Sequence, residues 1–106
     1  MDLHALRNRI SAKKVRVRLT KHARTEAFKD GLTTSDLEYA LMHGEVIEDY
    51  PERNRVLLLA FDRQYQLPIH ISLEYFQNED VATIVTAYIP EDDIWEKNYK
   101  TRKKKG

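Results

Sequence analysis

His70, Ser72 and Glu74 stand two apart in the segment Leu67–Phe76, interleaved with Ile69, Ile71, Leu73 and Tyr75. Side chains two apart in a strand share a face, so this spacing predicts three polar groups projecting together opposite an apolar stripe. Ordinary alternation is enough to explain Ser72 and Glu74, because antiparallel sheets commonly leave one face in water. A histidine in such a run is less usual, and its imidazole exchanges a proton near neutral pH, as acid–base chemistry requires. Thr86 and Tyr88 share one face of a later apolar segment, Val81–Ile89, with Thr83 on the other. Pairing across the polar loop Gln77–Asp80 would bring Thr86 or Tyr88 toward His70, although both residue types are also ordinary strand formers.

A second candidate centres on His22, flanked by Lys21 and Arg24 at the start of a helix that Thr20 can cap. Helix N-termini attract anions and flanking cations strengthen the attraction, so a phosphate group fits there; a plain surface histidine is the competing reading. His4 and His43 lack such company and read as structural. His22 and Glu26 have the helical spacing of a metal-ligand pair, but a lone pair of that kind is common by chance. No His-Glu-x-x-His, aspartate cluster, Gly-rich phosphate loop or Gly-x-Ser-x-Gly elbow occurs, and the chain has only three glycines. Neither a metal nor a cofactor is expected. The absence of cysteine excludes disulfides, cysteine-ligated zinc, iron–sulfur clusters and a thiol nucleophile.

The elements that must position these residues follow from pattern. Leu3, Leu6 and Ile10 lie at helical spacing; Val15, Val17 and Leu19 alternate with Arg16 and Arg18, as in a short strand at a sheet edge. The helix after Thr20 runs to about Asp30, where Gly31 supplies a left-handed stop; Ala23, Ala27 and Phe28 form its expected buried stripe. Thr33 and Asp36 open a further helix as a variant capping box, with Leu37, Ala40 and Leu41 inward and Gly44 at its end. Strands are predicted at Glu45–Tyr50, Arg55–Phe61, Leu67–Phe76 and Val81–Ile89, the second apolar enough to be covered on both sides. The expected class is α+β, with two to three N-terminal helices packed on one face of an antiparallel sheet.

At 106 residues the chain is expected to form a single domain over 1–106, with a basic, mobile tail at 97–106. The net charge of +1 hides a strong segregation. Residues 1–29 hold nine basic residues against two acids, residues 30–96 three against fifteen, and residues 97–106 six against none. Two basic segments that meet in space would attract a polyanion, and the acidic middle would receive a basic partner. No apolar run is long enough to span a bilayer and no apolar stretch follows the start, so a cytoplasmic protein without a membrane partner is expected.

Several stretches occur in an order that resembles a known family. They are Leu19-Thr20-Lys21-His22-Ala23, Asp30-Gly31-Leu32, Ser35-Asp36-Leu37, Gly44–Pro51, Leu67–Ile71, Ile84–Pro90 and Trp95, followed by an Arg/Lys cluster. Over about residues 18–103 the chain resembles DUF4258, a bacterial domain-of-unknown-function family found beside antitoxins with a YgiT/MqsA-type zinc finger. That family is similar in layout to the RelE/ParE and MqsR toxins, many of them metal-independent endoribonucleases and others binders of protein targets.

The resemblance implies a toxin-like module whose two histidine positions are His22 and His70, and whose Thr-Ala-Tyr segment holds Thr86 and Tyr88. Many members carry arginine or methionine where Glu26 stands, and arginine where Asp30 stands. Phosphate contacts would then fall to Lys21, Arg24 and the tail cations Lys100, Arg102, Lys103, Lys104 and Lys105. The expected function is metal-independent RNA cleavage, with His22 and His70 as an acid/base pair oriented by Thr86 and Tyr88. The expected partners are RNA, on or off the ribosome, and a cognate antitoxin. The alternative is a RelE/ParE-like binding module that acts on a protein target, or only assembles with a partner, and does no chemistry.

Overall fold

The computed structural model describes residues 1–104. Helix α1 (Leu3–Ser11) is followed by strand β1 (Arg16–Leu19), helices α2 (Lys21–Lys29) and α3 (Thr34–His43), and strands β2 (Glu45–Tyr50), β3 (Arg55–Phe61), β4 (Pro68–Glu74) and β5 (Val81–Tyr88). The class is α+β, with the helices preceding most of the sheet. The strands lie in the order β1-β5-β4-β3-β2. Strands β2 to β5 form an antiparallel meander, but β1 pairs parallel to β5, so the sheet is mixed rather than wholly antiparallel. Between β1 and β2 the chain crosses from one sheet edge to the other. Helices α2 and α3 make that crossing under a single face, α2 beneath β5 and α3 beneath β3 and β4.

Local chemistry sets the helix ends. The Thr20 hydroxyl accepts from the Ala23 amide at 3.0 Å and donates to the Val85 carbonyl at 2.8 Å, tying the start of α2 to β5. At its other end Gly31 has φ of +75°. The Leu32 amide donates to Ala27 O and the Gly31 amide to Phe28 O, a Schellman closure with Leu32 buried beside Ala27. Thr33 and Asp36 form the expected capping box on α3. Gly44 is required for a different reason, since a Cβ there would stand 2.5 Å from the Ala40 carbonyl. Arg7 of α1 donates to the Leu41 and Gly44 carbonyls at 2.8 and 2.7 Å, which satisfies carbonyls left open at the C-terminal end of α3.

The core lies between helices and sheet, with Leu6, Leu37 and Leu41 against Leu58, Ile69, Ile71, Leu73 and Ile84. Burial of each such side chain contributes roughly 1.5–3 kcal/mol. Ala23 and Ala27 let α2 approach β5 closely, while Phe28 is 84% exposed and not part of the stripe expected for it. One step along a helix turns the side chain by about 100°, which carries Phe28 away from the sheet. No helix among the described residues is long and apolar enough to cross a membrane.

Replacement of Thr20 by valine keeps the shape and removes both hydrogen bonds. Its expected cost is about 1–2 kcal/mol in urea unfolding, and an unchanged midpoint would contradict the role given to this residue.

Candidate functional site

The outer face of the sheet collects the polar residues of β4 and β5. His70 pairs with Tyr88, one of the two residues expected to approach it, and Ser72 pairs with Thr86. A bulge at Val85 then shifts the register, so that Thr83 pairs with Glu74. Thr83 therefore joins the face of Thr86 and Tyr88, against expectation, because one extra residue inverts the alternation beyond it.

This face is closed over His70. Residues 94–103 fold into a small hairpin in which the Glu96 amide bonds Thr101 O, the Lys103 amide bonds Ile94 O, and Trp95 bridges Arg102. Trp95 lies edge-on to the His70 ring with centroids 4.4 Å apart, and the Arg102 guanidinium stacks 4.6 Å from the centre of the Trp95 ring. Arg102 also donates twice to the Glu48 carboxylate, at 3.0 and 3.1 Å, and Lys100 pairs with Glu45 at 3.0 Å. Residues 97–103 therefore run back across the sheet as a strap rather than extending as a free tail.

His70 is fully buried beneath this strap. Its Nε2 lies 2.7 Å from the Tyr99 carbonyl oxygen, which can only accept, so Nε2 carries the proton. Nδ1, 3.2 Å from the Tyr88 hydroxyl, is then the acceptor. Burial holds the imidazole below the ordinary histidine pKa, partly opposed by the Tyr99 hydrogen bond, and burial pushes the Tyr88 phenol up. The Arg102 hydrogen bonds hold the Glu48 carboxyl below its usual range.

These shifts fix the sign of an acid response. An unfolded imidazole takes up its proton near about pH 6.5, and the buried one only at lower pH. Below that point the unfolded chain binds more protons, so stability falls as pH falls. Glu48 adds a further loss at lower pH, below its ordinary 4.5, as its folded carboxyl is protonated and releases Arg102. Trp95 is the sole tryptophan and reports the strap directly. Its fluorescence-detected urea midpoint is expected to fall between about pH 7 and about pH 5, and His70→Gln to remove most of that fall; a flat wild-type midpoint would contradict the assignment.

His22 occupies a different environment. It is exposed near the N-terminus of α2, a helix whose buried residues join the core on the inner face. His70 closes onto Tyr88, Tyr99 and Trp95 on the outer face. No hydrogen bond or ring contact joins the two histidines among the described residues. Thr86 and Tyr88 stand beside the His70 strand, whereas Lys21 and Arg24 are exposed with His22. Of the tail cations, Lys100 and Arg102 are held by Glu45 and Glu48. Lys103 and Lys104 are exposed, and Lys105 lies outside the described residues.

Sequence reasoning gave no role to Glu48 and Tyr50, which extend the strap contact through a 2.7 Å hydrogen bond. Nor did it single out Arg16 and Arg18, exposed on the edge strand β1 just before Lys21 and Arg24. Arg16, Arg18 and Arg24 line one hollow of about 330 Å³, together with Glu38. None of these arginines, nor Lys21, has a carboxylate within salt-bridge distance among the described residues. No three His, Cys, Asp or Glu side chains among those residues converge closely enough to hold a metal ion.

The family model described as "Domain of unknown function (DUF4258)" matches residues 19–89, from the end of β1 through β5. The match includes His22, His70, Thr86 and Tyr88, and stops before the strap. No curated protein and no solved structure matches the chain.

Proposed function

We propose that this chain, which belongs to the DUF4258 family, is a toxin-type, metal-independent endoribonuclease that grips RNA along β1 and the start of α2. One observation carries the reading. Arg16, Arg18, Lys21 and Arg24 form an exposed cationic run with no carboxylate at salt-bridge distance among the described residues, while Lys100 and Arg102 pair with Glu45 and Glu48. Free surface cations are what a phosphate backbone displaces counterions to reach.

His22 is the titratable group within that run. In the proposed cleavage its neutral imidazole removes the 2′-hydroxyl proton, and the 2′-oxygen attacks the adjacent phosphorus. Lys21 and Arg24 hold the charge that develops on the phosphoryl oxygens. The imidazolium returns its proton to the departing 5′-oxygen, which leaves a 2′,3′-cyclic phosphate and a 5′-hydroxyl end. In this reading His70 is closed beneath the strap, and His70, Thr86 and Tyr88 supply no group to the chemistry. The proposed setting is the cytoplasm, with a cognate antitoxin, of YgiT/MqsA zinc-finger type, as partner.

Induction in a bacterial host with 5′-end mapping of total RNA tests the reading. New 5′-hydroxyl ends are expected, reduced about a hundredfold to ten-thousandfold by His22→Ala, and their persistence in that variant would exclude the assigned chemistry. A second reading, a binding module without chemistry, is favoured by the closure of His70 on both ring nitrogens. It predicts growth arrest without new RNA ends and without dependence on His22.

A further inference from the structure

The two edges of the sheet carry opposite charge, and their surroundings differ. Strand β2 bears Glu45, Glu48 and Asp49, and the strap lays Lys100 and Arg102 on two of these. Strand β1 bears Arg16 and Arg18 and, among the described residues, has no strand beyond it. The Arg16 amide donates to Asp80 O at 2.8 Å and the Thr20 amide to Ile84 O at 3.1 Å. Backbone groups alternate sides along a strand, so Val17 and Leu19 turn theirs to the free edge. Side chains alternate as well: Arg16 and Arg18 are exposed, while Val17 and Leu19 pack against the core. Beside Val17 the edge opens into an apolar groove of about 520 Å³ lined by Ile10, Val15, Leu41 and Met42. Past Val17 and Glu38 this groove continues into the arginine-lined hollow.

We infer that β1 receives an extended segment of a partner protein, alternating apolar and acidic residues, which adds a sixth strand to the five-stranded sheet. Its backbone would bond the free groups of Val17 and Leu19. Its apolar side chains would cover the groove, and its carboxylates would stand beside Arg16 and Arg18. Charge complementarity selects this occupant, and the chain makes the same match internally where its basic strap meets acidic β2. Glu38, on the wall of the groove, favours apolar rather than acidic residues at the inward positions. Charged side chains alone can guard an edge against self-pairing, but that role does not require an open apolar groove beneath it. A seated segment would also cover the arginines assigned to RNA and so exclude RNA; only that consequence rests on the function proposed above.

The test titrates the full chain with a labelled peptide of about ten residues alternating valine and aspartate, followed by anisotropy. Saturable binding is expected, weakened at least about tenfold by Arg16→Glu/Arg18→Glu and absent for a valine–lysine peptide. Two further peptides carry N-methyl groups on either the valine or the aspartate amides, which requires no change to the protein. One frame is expected to abolish binding and the other to spare it, with the valine frame marking antiparallel and the aspartate frame parallel addition. Absence of saturable binding, equal binding of the lysine peptide, equal binding of both methylated peptides, or pairing of β1 with a second copy of this chain would overturn the inference. A chain that binds the peptide but no RNA would support strand addition and contradict the proposed function.

Discussion

Trp95→Ala is expected to lower stability by about 3–5 kcal/mol, within the range for deletion of a large buried aromatic. Small domains hold only about 5–15 kcal/mol in total, so the effect is a large share of what keeps this chain folded. Trp95 is 2% exposed and is the point where the strap meets both His70 and Arg102. Without the indole the strap loses its apolar anchor, and the ion pairs that remain are partly exposed, with Arg102 at 55% and Lys100 at 45% side-chain exposure. Such pairs contribute about 0–1 kcal/mol each and do not hold a strap alone. Release would admit water to His70, whose reaction with diethyl pyrocarbonate is expected to rise to that of exposed His22. Urea unfolding checks the first outcome and mass spectrometry of the labelled peptides the second. A loss below about 1 kcal/mol, with His70 still protected, would contradict the strap as described.

The combined variant Arg16→Ala/Arg18→Ala/Arg24→Ala is expected to weaken single-stranded RNA binding by roughly a hundredfold at about 0.1 M salt. Each phosphate contact contributes about 0.7 to the salt slope for single strands, so three contacts give a slope lower by about two. All three arginines are exposed and line one hollow, and none is tied to a carboxylate among the described residues. Lys100→Ala and Arg102→Ala, by contrast, remove cations already held by Glu45 and Glu48 and are expected to change affinity less than about twofold. Filter binding across a salt series separates the two sets. Equal losses in both would return the phosphate contacts to the tail.

The parts of the fold governed by neighbours in sequence were legible from the residues alone. Thr20, Gly31 and the Thr33–Asp36 box marked helix ends because each acts within about one turn. Alternation in Leu67–Phe76 placed His70, Ser72 and Glu74 together, and the short polar loop to β5 set them beside Tyr88 and Thr86. What escaped depends on distant or subtle events. A single bulged residue at Val85 carries no signature of its own yet inverts Thr83. The parallel pairing of β1 with β5 joins segments far apart in the chain, across a crossing that pattern does not orient. Sequence pattern predicts a tail at the strap because what holds it, including one tryptophan, two ion pairs and the backbone carbonyl of Tyr99, creates no periodicity. The candidate site moved with it. Once the strap claims His70, Lys100 and Arg102, the cations of β1 and the start of α2 stand, with Lys103 and Lys104, among those without an ion pair in the described residues.

Amide chemical-shift mapping of the isotope-labelled chain with a short single-stranded RNA tests that relocation most directly. The expected result is a set of shifts confined to Arg16 through Arg24, including His22, with the backbone of residues 94–103 unmoved. Shifts centred on residues 97–104, or on Tyr88 and His70 with the strap displaced, would contradict the account.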